Sequence, residues 1–451
     1  MSDEKSYAIT RHKNGHDVVA WRAGTAITRD EFLADVAALI SRLPGHRHVI
    51  NLCTDRYRFM VSFAACLCSH QVSLLPSSDS PATLAALARD YPDLYILTDT
   101  PNARSTMAGV RTLTYPPNLP ITEKTGSVPE IPGKRTAIIL FTSGSTGQPV
   151  PVPKTWGVLV RSALAAGNRI GARQFCPAVI IGTVSHRHSY GLESVILLGL
   201  QCGMGVEAKT LLYPADIRAA INAAGTCVLV TTPVHLRVLV EEPEDMPPVA
   251  LILSATSPLT TELAREAELC FSATLLEIYG CTEAGQVATR QTTGASSWHC
   301  LQGVYLDQRD GATWASGEVV QGDVLLHDVI EMTSATTFLL GGRSADMVDV
   351  AGKRVSLAHL NHVLLSIPGV RDGVFFMPAA KGGRVARLAA LVVAPTLPPH
   401  EISCAIRERI DAAFFPRPLV FLDALPRNDM GKLPVETLIR LIHSTARDEL
   451  A

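Results

Sequence analysis

Between Phe141 and Pro149 the chain reads "FTSGSTGQP", an apolar run that ends in small hydroxyl and glycine residues. Glycine lets a backbone curl until its N–H groups converge on an anion, and hydroxyls add further donors. Ser143, Ser145 and Thr146, spaced by Gly144 and Gly147, suit a polyphosphate. Lys154 follows after Pro149, Pro151 and Pro153 and could supply positive charge. Two familiar phosphate loops are excluded. A P-loop needs G-x-x-x-x-G-K-[ST], but Gln148 and Pro149 follow Gly147. A dinucleotide fingerprint needs G-x-G-x-x-G, which "SGSTGQP" does not provide. A second stretch, "SHRHSYG", carries His186 and His188 one residue apart. No third ligand follows at zinc spacing, so a metal site is rejected.

The phosphate loop must be held by something rigid. Short apolar runs recur at 137–142, 178–184, 227–232, 249–256 and 273–280 and read as buried strands. Helical patterns lie between them. One starts at Pro214, which suits a first helical turn, and another has Ser257 as its expected N-cap. Strands alternating with helices predict an α/β fold with a largely parallel sheet. From about Glu318 the rhythm shifts to short strand-like pieces. After Arg343 it becomes an α+β pattern: a helix with Leu357, Leu360, Leu364 and Ile367 on one face, two strands and a second helix. The reading is a large N-terminal α/β domain over 1–343 and a small α+β domain over 344–451, with the Pro-rich segment 114–134 a surface connection.

Bulk properties narrow the function. The 451 residues are 47% hydrophobic, ample for a large core. A net charge of −2 with no basic block makes nucleic acid an unexpected partner. The polar start "MSDEKSYAIT" lacks a signal-peptide core, and no apolar stretch is long enough to span a membrane. Ten cysteines without a CxxC pair suit a reducing cytoplasm.

The order of motifs then matches a family. "TSGSTGQP" resembles the phosphate-loop motif of the adenylate-forming superfamily, which includes acyl-CoA synthetases, adenylation domains of peptide synthetases and firefly-type luciferases. "YGCTEAG" (279–285), "SGEVV" (316–320), "GRSADMVDVAGKRV" (342–355) and "PRNDMGK" (426–432) are similar to its later motifs, in its order. The compact N-terminal part, with "VSHRHSYGLES" and "VPKTW", resembles stand-alone AMP-ligases of aryl-polyene and xanthomonadin-type pigment clusters.

The resemblance implies that the small C-terminal domain over 344–451 is a lid, and it implies roles. Thr142, Ser143, Gly144, Ser145, Thr146 and Gly147 would wrap the β- and γ-phosphates of ATP, with Lys154 near them. Tyr279 and Gly280 would lie at the adenine, Thr282 at the α-phosphate, and Asp328 and Arg343 at the ribose. Glu283 would hold Mg²⁺, a cation that prefers carboxylate and phosphate oxygens. Lys432 would catalyse: carboxylate attack on the α-phosphate builds negative charge, and a positioned cation stabilises that transition state. His188, Tyr190 and Gly191 fall where relatives line the acyl pocket. A ring and an imidazole could flank an aromatic carboxylate, or His188 could be a hydrogen-bonded core histidine. Two departures stand out. The place of the family's lysine after the loop proline is Val150 here, so that either the loop is reshaped or Lys154 reaches back. Two residues after the hinge arginine, where many relatives have Asp or Lys, stands Ala345 with Asp346 next, the pair taken as the pivot.

The expected function is a two-step ligase that uses ATP and Mg²⁺ to activate a small carboxylic acid, hydroxybenzoate-like, and passes it to the phosphopantetheine thiol of an acyl carrier protein. An aryl- or acyl-CoA ligase using free CoA shares the pantetheine arm and is the enzymatic alternative. A regulatory protein that keeps ATP without turnover is the alternative from another class, and Glu283 and Lys432 argue against it.

Overall fold

A computed structural model of the chain describes residues 5–76, 78–100, 109–119, 127–143, 149–242, 244–343, 347–350, 353–378, 387–427, 433 and 437–442. The runs read as strands form them: Thr136–Ser143, Val179–Gly182, Cys227–Thr231, Leu251–Ser254 and Leu275–Cys281. Their side chains are almost all buried, as parallel strands covered on both faces require.

They do not share one sheet, however. Among the described residues there are two large sheets. A six-stranded sheet runs in the order Pro149–Thr155, Thr136–Ser143, Val72–Leu75, His48–Asn51, Leu94–Thr98, Arg111–Thr114, parallel except for its first strand. An eleven-stranded sheet has a parallel centre: Leu275–Cys281, Leu251–Ser254, Cys227–Thr231, Val179–Gly182, Gly205–Glu207 and Val18–Arg22. Antiparallel strands flank that centre on both sides, ending at Asp328–Met332 on one edge and Thr25–Thr28 on the other. The first sheet is hard to read in sequence because "HVIN" and "VSLL" give only four residues each.

Helices fill the space between and around the sheets. Pro214–Ala224 starts on its proline as expected. The next one departs from expectation: Thr260, not Ser257, is the N-cap, its hydroxyl accepting the Leu263 N–H at 3.2 Å. Leu259 is drawn into the core ahead of it and is only 3% exposed, which delays the helix by three residues. The Pro-rich connection also ends in structure, since Glu130–Pro132 pairs with Ser6–Ala8 and Ile131 is buried.

From residue 347 onward a hairpin (Met347–Val350 with Lys353–Ser356), a three-stranded sheet and the helices Leu357–Leu365 and Pro399–Arg409 pack their own apolar clusters, centred on Leu360, Leu364, Phe375 and Leu391. The whole is a mixed α/β fold with a small C-terminal α+β unit. Arg237 ties this unit to the larger body, donating to the Val370 carbonyl at 3.2 Å. Among the described residues no helix is long and apolar enough to cross a membrane.

Candidate active site

The parallel strands of the large sheet share one direction, so their carboxyl ends open along one edge. Ligands of open α/β sheets bind at such an edge. Two chain segments leave it that carry predicted site residues, a turn after Cys281 and a wall after Gly182.

The turn is tightly specified. Leu275–Cys281 pairs antiparallel with Gly285–Arg290, with Cys281 opposite Gly285. A β-carbon on Gly280 would lie 2.2 Å from the Gly285 carbonyl oxygen, so only glycine allows the approach. Gly285 itself has φ +81°, the left-handed region. Thr282 and Glu283 sit on this turn, both half-buried. Its rear is held by charged groups. Lys154 Nζ donates to the Glu283 carbonyl. Glu193 Oε2 accepts the Gln286 N–H at 3.0 Å and Oε1 accepts the Ser189 hydroxyl at 2.6 Å. Gln286 Nε2 donates to Ser194 Oγ at 3.0 Å. Lys154 and Glu193 are 2% and 6% exposed. Burial pushes the Lys154 ammonium below its usual pKa, with the charge of Glu193 the strongest opposing influence, and pushes the Glu193 carboxyl up.

Among the described residues, Lys154 finds its partner in this turn. Val150 stands opposite Thr142 at the hairpin end, but Lys154 stands opposite Ile138. Four residues of strand are about 13 Å. The ammonium therefore braces the Glu283 turn, and Val150 remains 49% exposed where the family's lysine would stand.

Tyr279 begins the same motif. Its ring packs on Trp298 and Phe338, with centroids 5.7 Å from each. Its hydroxyl donates to Asp328 Oδ2 at 2.6 Å. Asp328 in turn stands opposite Arg343 in the edge pair of strands. The fold thus brings together three predicted nucleotide residues that span 64 positions of sequence.

The wall runs from Thr183 to Gly191 and leads into a helix whose Leu192–Leu197 portion is π-helical, a local widening frequent at functional sites. His188 takes the N-cap position and is half-buried. Tyr190 places its hydroxyl 3.1 Å from both the Thr231 and Leu253 carbonyls, bridging two strand ends. That hydroxyl is engaged by backbone, so Tyr190 would contribute its ring to a pocket. On Gly191 a β-carbon would lie 2.1 Å from the Ser185 carbonyl oxygen, so its missing side chain allows that close packing. His186 Nε2 donates to the Cys53 carbonyl at 2.9 Å. Burial, then the nearby Arg56 charge, holds its pKa down to about 3, so it is a neutral core residue.

Sequence reasoning missed two supports. Arg56, fully buried, donates to the carbonyls of Gly182 (2.8 Å), Val184 (2.9 Å), Glu207 (3.1 Å) and Lys209 (2.6 Å), fixing the strand end from which the wall departs. Glu193 was the other. Its signal was a single acid inside the apolar run "YGLESVILLGL".

Gly144, Ser145, Thr146, Gly147, Ala345, Asp346 and Lys432 lie outside the described residues. Thr142 lies in the strand that leads to the loop. Ser143 and Arg343 are placed by their backbones alone.

A strand-end turn bearing a hydroxyl and a carboxylate, beside a tyrosine–aspartate pair, suits a magnesium nucleotide by its donor set. With the similarity to known proteins, this fold and site define an ATP-dependent, AMP-forming acid–thiol ligase. The chain belongs to the AMP-binding enzyme family, which matches residues 11–313. Among curated proteins it is similar to the 4-coumarate–CoA ligase of Rhodobacter capsulatus, 28% identical over 302 residues, covering 66% of this chain and 75% of that protein. Among solved structures, ATP-bound MatB from Rhodopseudomonas palustris superposes with a TM-score of 0.80 at 19% identity, covering 95% of this chain and 96% of the other. O-succinylbenzoate coenzyme A synthetase (MenE) from Bacillus subtilis, in complex with ATP and magnesium ion, gives 0.78 at 19%, covering 93% and 96%. At these identities the two structures establish the fold alone.

Proposed function

We propose that this ligase activates an aromatic, hydroxybenzoate-like carboxylic acid and delivers it to the phosphopantetheine thiol of an acyl carrier protein, a reading that follows its resemblance to stand-alone AMP-ligases of pigment clusters. In the first step a carboxylate oxygen attacks the α-phosphorus of ATP, forming the acyl-adenylate and releasing pyrophosphate. In the second a thiol sulfur attacks the acyl carbonyl, AMP leaves, and the thiol gives up its proton. Glu283 would hold Mg²⁺ and Thr282 the α-phosphate, with the hydroxyls, backbone N–H groups and glycines of residues 142–147 on the outer phosphates. Asp328, fixed by Tyr279, and Arg343 would take the ribose. Lys432 would neutralise the charge that builds in the first step.

The observation that carries this reading is the convergence of the Thr282–Glu283 turn, the Tyr279–Asp328 pair and the His188–Tyr190 segment along one carboxyl edge. The lid over 344–451 would turn about Ala345–Asp346 between the two steps, because lysine and thiol must face one buried adenylate in succession. Free CoA is the second reading for the acceptor, favoured by the similarity to a 4-coumarate–CoA ligase.

Acid-dependent ATP–pyrophosphate exchange over a panel of carboxylates tests the first step. Benzoates should exceed octanoate and longer chains, and the reverse order overturns the aromatic assignment. Offering CoA and a carrier protein in turn then decides the acceptor. Lys432→Ala should slow adenylation about 100- to 1,000-fold while sparing thioester formation from a pre-made acyl-adenylate. Normal exchange by that variant would remove Lys432 from catalysis.

A further inference from the structure

The geometry points to Lys154 and Glu193 as positioning residues of the adenylation step, a buried pair of opposite charge that sets the shape of the Cys281–Gln286 turn from behind. The inference rests on the proposed roles of Thr282 and Glu283. Lys154 sits on the hairpin strand of the six-stranded sheet, and Glu193 in the π-helical stretch beside the eleven-stranded sheet. The turn lies between them. Lys154 holds a backbone acceptor at its tip, the Glu283 carbonyl, and Glu193 holds a donor at its exit, the Gln286 N–H. Both supports hold the turn through backbone atoms, the Glu283 carbonyl and the Gln286 N–H, and so fix the backbone on which Thr282 and Glu283 sit.

Three features show that this arrangement is built. Ser189 donates to the second Glu193 oxygen, and Ser194 receives the Gln286 amide, so the acid and its neighbour are both partnered. Gly285 in its left-handed conformation leaves room for the acid: a β-carbon there would lie 3.2 Å from Glu193 Oε2. The π-helical stretch contains Glu193 itself. A lysine and a glutamate this deeply buried are rare unless they serve each other or a site. Both anchor one turn of six residues, the turn proposed to meet the α-phosphate and the metal. A displacement of about 1 Å in such a group can cost about 100-fold in rate.

The test uses the full chain in pyrophosphate exchange with its best carboxylate. Lys154→Met keeps the stem and removes the charge. It should lower kcat about 100-fold while KM for ATP moves less than about threefold. Glu193→Gln keeps one acceptor for Gln286 and should lose less. The double variant Lys154→Met/Glu193→Gln should recover part of the Lys154→Met loss, because it removes the stranded carboxylate. Amide hydrogen exchange of the peptide spanning 280–288 reads the turn without catalysis and should quicken in Lys154→Met. A raised KM for ATP with kcat unchanged would make Lys154 a direct ATP contact and overturn the inference. Loss only in proportion to unfolded protein, with the 280–288 peptide protected as before, would also overturn it. A wild-type protein that exchanges with no acid would instead defeat the proposed function, whatever the peptide shows.

Discussion

The turn at 281–285 and the wall at 183–191 leave the same sheet edge, but they are secured by different chemistry. Behind the turn stand an ammonium and a carboxylate, both buried. In the wall, charge stands at the entry, where Arg56 donates to the Val184 carbonyl, and at the rim, where Arg187 meets Asp79 at 3.1 Å. Neutral groups hold its inner residues: Tyr190 on two carbonyls, His186 on the Cys53 carbonyl, and Thr183 Oγ1 on Thr231 (2.9 Å) and His235 (2.7 Å). Burying charge is costly, and removing one of two opposite buried charges leaves the other uncompensated. A neutral hydrogen bond contributes about 1 kcal/mol and its loss is mild. Charge therefore backs the turn proposed to face phosphate and metal directly, whereas Tyr190, proposed to face an aromatic acid, is held by neutral bonds.

The comparison breaks most visibly at Glu283. Glu283→Gln keeps the shape of the turn and removes the charge proposed to anchor Mg²⁺. Adenylation should slow about 100-fold and saturate at higher Mg²⁺, because magnesium selects carboxylate oxygen. An unchanged Mg²⁺ titration would take Glu283 out of the site and leave the buried pair behind it without a purpose in catalysis.

Acid should find the wall before the turn. His186 is held at a pKa of about 3 by burial, below the unfolded value near 6.5. A lowered folded pKa means that its contribution is complete above pH 6.5 and fades as pH falls toward 3. Between pH 7 and pH 5 this histidine should cost the fold about 2 kcal/mol. Urea unfolding at the two pH values, compared between wild type and His186→Gln, isolates the effect. His12, lowered to about 4 by burial, acts the same way in both proteins and cancels in the difference. Equal pH dependence in both would show that His186 is not the neutral strut of the wall.

The smallest effect is expected at Tyr190. Tyr190→Phe removes a hydroxyl that bonds only backbone carbonyls, so stability should drop by about 1 kcal/mol. Adenylation rate and the order of preferred acids should hold. A change in that order would place the hydroxyl against substrate and erase the distinction between wall and turn.

Sequence patterns determined much of this protein. Apolar runs bounded by glycine and proline gave the parallel strands, because a strand buried on both faces must be continuously apolar. The ordered motifs from Thr142 to Lys432 gave the family and the class of reaction. Tertiary structure alone decided that the strands divide between two sheets. It alone set Tyr279 on Asp328 and Asp328 opposite Arg343, since cross-strand register joins residues with no local signal of their partnership. The same holds for Lys154. In sequence it is a cation close to a phosphate loop, and twelve positions of strand and turn separate it from Thr142. Strand register sets it opposite Ile138, and burial then requires a partner, which it finds 129 residues further along the chain in the carbonyl of Glu283.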